Sequence, residues 1–207
     1  MSNRFGQAFG LTIISPILND ADAAGAAHDI ALRQDLRDLN RAESPFVRVD
    51  GTHLARWVIL DEAPFESIPA KVDHFKSKYL LFTSNFDGGS DSDDVAFARY
   101  IESLRTSIPA VIERVYRHCL AFPGTRDAAP FLEYFKECQI QTTFFFGAYE
   151  HATLPQVLRA LATQRRMAEF IADQQDARPA PAQLQAGFRA LIASLASAPT
   201  PRPGTFT

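Results

Sequence analysis

Arg56, His53, Asn85 and Asp87 are residue types that together could hold an anion and move a proton. Arg56 and His53 lie in THLARWVILDE, residues 52–62, and Asn85 and Asp87 close YLLFTSNFD, residues 79–87. Side chains alternate along a strand, so Leu54, Arg56, Val58 and Leu60 share one face and a guanidinium interrupts an apolar row. By the same rule Tyr79, Leu81, Thr83, Asn85 and Asp87 share a face that turns polar at its end. An antiparallel pairing of the two stretches brings the polar ends into one neighbourhood. Arg56 could then hold a carboxylate or a peroxide-like anion, with Asp87 or His53 carrying the proton. Arg56, Asp87 and His53 are the candidate catalytic residues; Asn85, Thr83, His118 and Tyr149 are the candidate substrate-binding ones. A plainer arrangement uses the same groups: an Arg56–Asp87 ion pair ties the strands and Asn85 forms the turn. On either reading Arg56 must meet something anionic, because a guanidinium buried unpaired is costly.

Other constellations carry less chemistry. The acidic turn with Asp87, Asp91, Asp93 and Asp94 has the strand-glycine-helix outline of a phosphate cradle, but its carboxylates would repel phosphate. Its spacing does not match a calcium-binding EF-hand loop. Ser92 or Asp93 is expected to cap the following helix instead. His28, His53, His74, His118 and His151 show no metal-ligand spacing, and no metal site is expected. Cys119 and Cys138 form no CxxC motif; both read as buried apolar groups, with a reactive thiol at Cys119 as the sharper alternative.

The elements that must position these groups follow from pattern. A first strand is expected at 10–17 and a helix over 21–43, ended by Ser44-Pro45. Residues 46–49 read as a brief extended piece, 52–62 as the second strand and 63–77 as a loop with one helical turn near 69–75. The third strand spans 79–87 and stops on Asp87-Gly88-Gly89, where glycine takes positive φ without steric cost. A long helix over 92–118 should break near Ser107 at Pro109. A short helix over 130–138 precedes a fourth strand at 141–149, QTTFFFGAY, whose three phenylalanines ask for cover on both faces. Helices over 154–173 and about 184–195 flank a linker, ARPAPA, and the last residues read as a disordered tail. The order β-α-β-β-α-β predicts an α+β, ferredoxin-like antiparallel sheet with helices on one face and extra C-terminal helices. The domain is expected over 9–175, with 176–207 as linker, amphipathic helix and tail.

Composition bounds the functional classes. The chain has 207 residues, a net charge of -3 and only scattered Lys and Arg, which argues against a general nucleic-acid surface. No apolar run approaches the about 20 residues that span a bilayer, and no signal-like start is visible, so a cytoplasmic location is expected. Seventeen Phe against one Trp and five Tyr favour buried packing over an exposed aromatic binding face.

GLTIISPI, THLARWVILDE, YLLFTSNFDG, RHCLAFPG and TTFFFGAY, in this order and spacing, resemble bacterial proteins of the dimeric α/β-barrel superfamily over about residues 10–170. That superfamily pairs two ferredoxin-like sheets into a barrel and includes antibiotic-type monooxygenases, haem-dependent chlorite dismutases and dye-decolourising peroxidases. The resemblance implies a homodimer and a small-molecule site on the open sheet face. Its peroxidases carry a GxxDG motif with a catalytic Asp, against which stands Asn85-Phe86-Asp87-Gly88, without the first Gly. Haem is the cofactor this suggests, with no proximal histidine assignable. The function expected first is a small-molecule oxidoreductase or monooxygenase-like protein. The alternative is a non-catalytic small-molecule binder or accessory protein on the same scaffold, and a purely structural dimer module comes third.

Overall fold

A computed structural model describes residues 3–39, 43–65 and 71–204. The strands are β1 (Arg4–Phe5), β2 (Ala8–Pro16), β3 (Thr52–Phe65) and β4 (Lys71–Asp87). All pair antiparallel, in the order β1-β2-β4-β3. The helices are α1 (His28–Arg37), α2 (Asp93–Ser107), α3 (Pro109–Tyr116), α4 (Ala128–Glu137), α5 (Leu154–Ala177) and α6 (Pro181–Ser197), with a 3-10 turn at Pro45–Arg48. The fold is therefore α+β, with one open antiparallel sheet.

Alternation decides which side of the sheet is covered. Phe9, Leu11 and Ile13 of β2 and Leu80, Phe82 and Phe86 of β4 are buried against Phe97, Tyr100, Ile101 and Leu104 of α2. Ile112 and Tyr116 of α3 and Phe131 and Phe135 of α4 complete that core. Pro109 does end α2 at Ser107 and opens α3, because it has no N–H to give to the helix ladder.

Four sequence expectations are corrected. Of residues 46–49, expected as an extended piece, the first three belong to the 3-10 turn Pro45–Arg48 and only Val49, its C-cap, is extended. The helix expected over 21–43 is shorter, His28–Arg37, since Asp22 closes a turn on the N–H groups of Ala24 and Ala26. The loop expected at 63–77 is mostly strand, as β3 and β4 run on past the sheet as a two-stranded arm; part of the expected helical turn lies outside the described residues. The base of that arm is tied to α1 by Lys78–Asp29 at 2.7 Å and Arg33–Asp61 at 2.5 Å.

The fourth correction matters most for the site. Residues 141–149 form no strand. The segment meets β2 only briefly, through Ile14 N–H to Cys138 O and Ile140 N–H to Thr12 O, both 2.9 Å. Further along, that edge of β2 is already taken by the N-terminal residues: Arg4 pairs with Phe9, and Gly10 N–H donates to Asn3 O at 2.7 Å. The phenylalanine run therefore leaves the edge as irregular chain. Phe144 and Phe146 end up 83% and 66% exposed, not covered on both faces.

The chain divides into two compact units, Met1–His151 and Ala152–Thr207. The division falls before α5, so α5 and α6 belong together on either side of the ARPAPA stretch. Gln156 Oε1 accepts from Thr153 N–H at 2.9 Å at the start of α5, and Phe170 and Phe188 meet at 6.2 Å between the two helices. Among the described residues no helix is long and apolar enough to cross a membrane.

Candidate functional site

The uncovered face of the sheet is a grid of side chains set by register. Three strands put Gly10, Asn85 and Leu54 in one row and Thr12, Thr83 and Arg56 in the next. Two apolar rows follow: Ile14, Leu81 and Val58, then Pro16, Tyr79 and Leu60. The polar rows line a groove of about 480 Å³, whose wall is completed by Thr142 and Phe145 from the irregular segment. The Phe145 ring lies directly on Gly10; a Cβ there would sit 2.9–3.2 Å from ring carbons, so only glycine admits the ring in this position. Asn3 Oδ1 holds the segment by accepting from Thr142 N–H at 2.7 Å. Its far end is pinned by Gln7 N–H donating to Glu150 O at 2.8 Å.

Arg56, Thr83 and Asn85 thus come together as the alternation implied. Arg56 is exposed, not buried, and its Nε donates to Thr83 Oγ1 at 2.9 Å. The Arg56–Asp87 ion pair does not form: among the described residues Arg56 has no carboxylate partner, and Asp87 Oδ1 sits 2.7 Å from His53 Nε2. The cause is register: Arg56 faces Thr83, four positions short of Asp87 and about 13 Å away along the strand. The His53 contact comes from a β-bulge. Thr52 faces Phe86 and Leu54 faces Asn85, leaving His53 as the extra residue, and a bulge re-aims its side chain. Strict alternation would turn His53 toward the core side with Trp57; the bulge turns it to Asp87. Asp87 lines a separate hollow of about 370 Å³ at the strand end, with Asp50, Arg99, Tyr100 and Glu102 among its walls.

The acidic turn is spent on two arginines that composition did not single out. Arg4 Nε donates to Asp93 Oδ1 at 2.8 Å and its Nη1 to Gly89 O at 2.6 Å. Arg99 pairs with Asp91 and reaches the carbonyls of Asp87 and Gly88. Carbonyls rather than N–H groups face the cations, the reverse of a phosphate cradle. Ser92 stands at the N-cap of α2, but no side-chain bond caps that helix. Beneath this turn Tyr100 Oη bonds Ser84 Oγ at 2.6 Å and Thr52 Oγ1 at 3.1 Å. Burial raises its phenol above the ordinary value despite those two bonds.

His118 and Tyr149 lie away from the groove walls. Tyr149 is 68% exposed in the irregular segment. His118, 1% exposed after α3, faces His28 with Nδ1 atoms 2.9 Å apart. Its Nε2 lies 3.1 Å from Asp35 Oδ2 and 3.2 Å from Arg117 Nε. Burial holds its imidazole below the usual value, the charges of Arg117 and His28 adding to that and Asp35 opposing it. Asp35 is held low: burial would raise it, but bonds from Arg114 and His118 and the charge of Arg117 outweigh that. Cys119 is buried and pushed up to about 12, chiefly by burial, so it is a thiol and a poor nucleophile at neutral pH.

Compared with protein-family models, curated proteins and solved structures, the chain matches none. The groove's chemistry therefore stands on its own walls.

Proposed function

We propose that the protein binds a small organic molecule in the open-face groove, on a ferredoxin-like domain that pairs with a second copy of itself. The observation that carries this is the row Thr12–Thr83–Arg56: a guanidinium held by one hydroxyl on a sheet face, beside an aromatic wall, with no acidic residue among the described residues of the lining. The groove's size lies within the range of small-molecule sites, about 300–1,000 Å³. Two features support the ferredoxin-like arrangement. The strands β2, β4 and β3 follow the order 1-3-2 of that fold, and the segment after α4 touches the edge where its last strand would add. The two apolar rows next to the groove, with Leu54 69% exposed beside them, favour a second copy as the cover, which would also roof the groove.

The oxidoreductase or monooxygenase-like reading is second, and the His53–Asp87 couple favours it. A histidine 2.7 Å from a carboxylate is a competent proton carrier near the end of the same strands. Haem does not fit the groove: among the described residues none in the lining offers an imidazole, thiolate, thioether or phenol to iron. The test is a ligand screen by two-dimensional NMR, with an absorbance spectrum of the purified protein. Shifts confined to Gly10, Thr83, Asn85 and Phe145 support the site; a screen that moves none of them overturns it. A flavin spectrum would move the oxidoreductase reading to first place.

A further inference from the structure

We propose that the groove selects a monocarboxylate with an aromatic or similarly compact, flat apolar body. This deepens the reading of the groove as a small-molecule site and rests on it. The selectivity comes from how Arg56 is held. Its Nε is engaged by Thr83 at 2.9 Å, and its two terminal nitrogens make no hydrogen bond or ion pair with the described residues. A guanidinium fixed at Nε presents those two nitrogens as a planar fork, which matches the two oxygens of a carboxylate. Thr83 thus orients the fork instead of neutralising it, which an acidic neighbour would have done.

The charge count sets the ligand's charge. Among the described residues one cation lines the groove, with no carboxylate and no second cation. A single negative charge balances it, whereas a phosphate dianion would leave one charge without a partner. Asp87 follows Asn85 by two strand positions, about 7 Å further along, and adds a cost to any second negative charge reaching that way. Asn85, in the next row, offers an amide to a neutral polar substituent.

The apolar body follows from the other walls. Asn85 stands between Gly10 and Leu54 on neighbouring strands, so Phe145 over Gly10 and Leu54 on the far side flank a slot about two strand spacings, or about 10 Å, wide. A flat ring laid along that slot meets the Phe145 face on one side and a branched aliphatic on the other. Gly10 is what permits it, because any Cβ would push the ring away.

The experiment uses the full chain and three probes: benzoate, benzamide and inorganic phosphate, titrated by NMR with the groove amides as reporters. Benzoate should bind at least about tenfold more tightly than benzamide or phosphate, the scale of one charge-assisted pair. Arg56→Met should bring benzoate down to the benzamide level and leave benzamide unchanged, with the melting temperature confirming an intact fold. Phe145→Leu should weaken benzoate and benzamide alike. Equal binding of benzoate and benzamide, indifferent to Arg56→Met, would overturn the carboxylate class and leave the groove standing. Phosphate binding more tightly than benzoate would overturn it in favour of a small inorganic anion. Shifts in none of the groove amides with any probe would refute the carboxylate proposal and the groove reading together.

Discussion

The His28–His118 contact makes stability depend on pH in a direction that can be worked out. Only one proton fits between two Nδ1 atoms 2.9 Å apart, so at most one of the two rings can be cationic while the contact persists. His118 is held below its usual value, mainly by burial, so the fold favours its neutral form. The unfolded chain titrates near the ordinary value of about 6.5. The contribution of His118 is therefore complete above about pH 6.5 and is lost as pH falls below it, until the folded ring itself titrates. Asp35 is held low and loses its own contribution only below about pH 4, so pH 5–8 isolates the imidazoles. The perturbation is His118→Phe, which keeps the ring volume and removes the polar contact. It leaves a buried His28 nitrogen without its partner, a cost of about 1–3 kcal/mol. For a unit of this size that is about 2–4 °C in Tm per kcal/mol, or a drop of about 2–12 °C at pH 8. The assay is circular-dichroism melting from pH 8 to pH 5. Wild type should lose Tm steadily below about pH 6.5, and the variant should start lower but fall less. A wild type indifferent to pH over this range, or a variant with the same slope, would refute the reasoning.

Three further outcomes follow from the fold. Arg56→Met should change stability by less than about 0.5 kcal/mol, as for an exposed side chain with one hydroxyl partner, checked by urea unfolding. Gly10→Ala should displace Phe145, weakening groove ligands and lowering Tm by a few degrees; an unchanged Phe145 amide shift would argue against it. Tyr100→Phe should cost about 1–3 kcal/mol by taking the partner of the buried Thr52 hydroxyl, while Ser84 keeps its bond to Leu54 O; a neutral result would mean that Thr52 finds another partner.

How much of this could be read from residue order depends on whether a rule is local. The three main strands, the break of the long helix at Pro109 and the Arg56–Thr83–Asn85 grouping all follow from alternation, propensity and proline chemistry, which act over a few residues. The Phe144–Phe146 run is different. Its composition is that of a buried strand, yet whether it pairs is decided by who else claims the edge of β2. Arg4 and Phe5, two residues in an unremarkable polar start, claim it first. Nothing within QTTFFFGAY records that competition. The arm beyond the sheet was lost for the same reason, since the prolines in 63–77 suggested a loop while continued pairing of β3 with β4 carried the strands on.

The bulge at His53 marks the limit on the side of chemistry. Counting by twos assigns His53 to the core side, and one unpaired residue turns it to Asp87 instead. Arg56 faces Thr83, four positions short of Asp87, and so keeps a neutral hydroxyl as its partner. Asp87 gains an imidazole at the strand end. Regular register thus keeps the charged anchor away from Asp87, and one local irregularity builds the proton-carrying couple at the end of the same two strands. If the homodimer forms through the apolar rows, both features stay at its polar end, the anchor under the roof and the couple at its rim. Light scattering decides the first part of that statement. A mass of twice the chain, falling to one chain with Val58→Asp in the middle of the apolar rows, is the expected result; a wild-type monomer at micromolar concentration would leave the groove open to solvent and remove the roof.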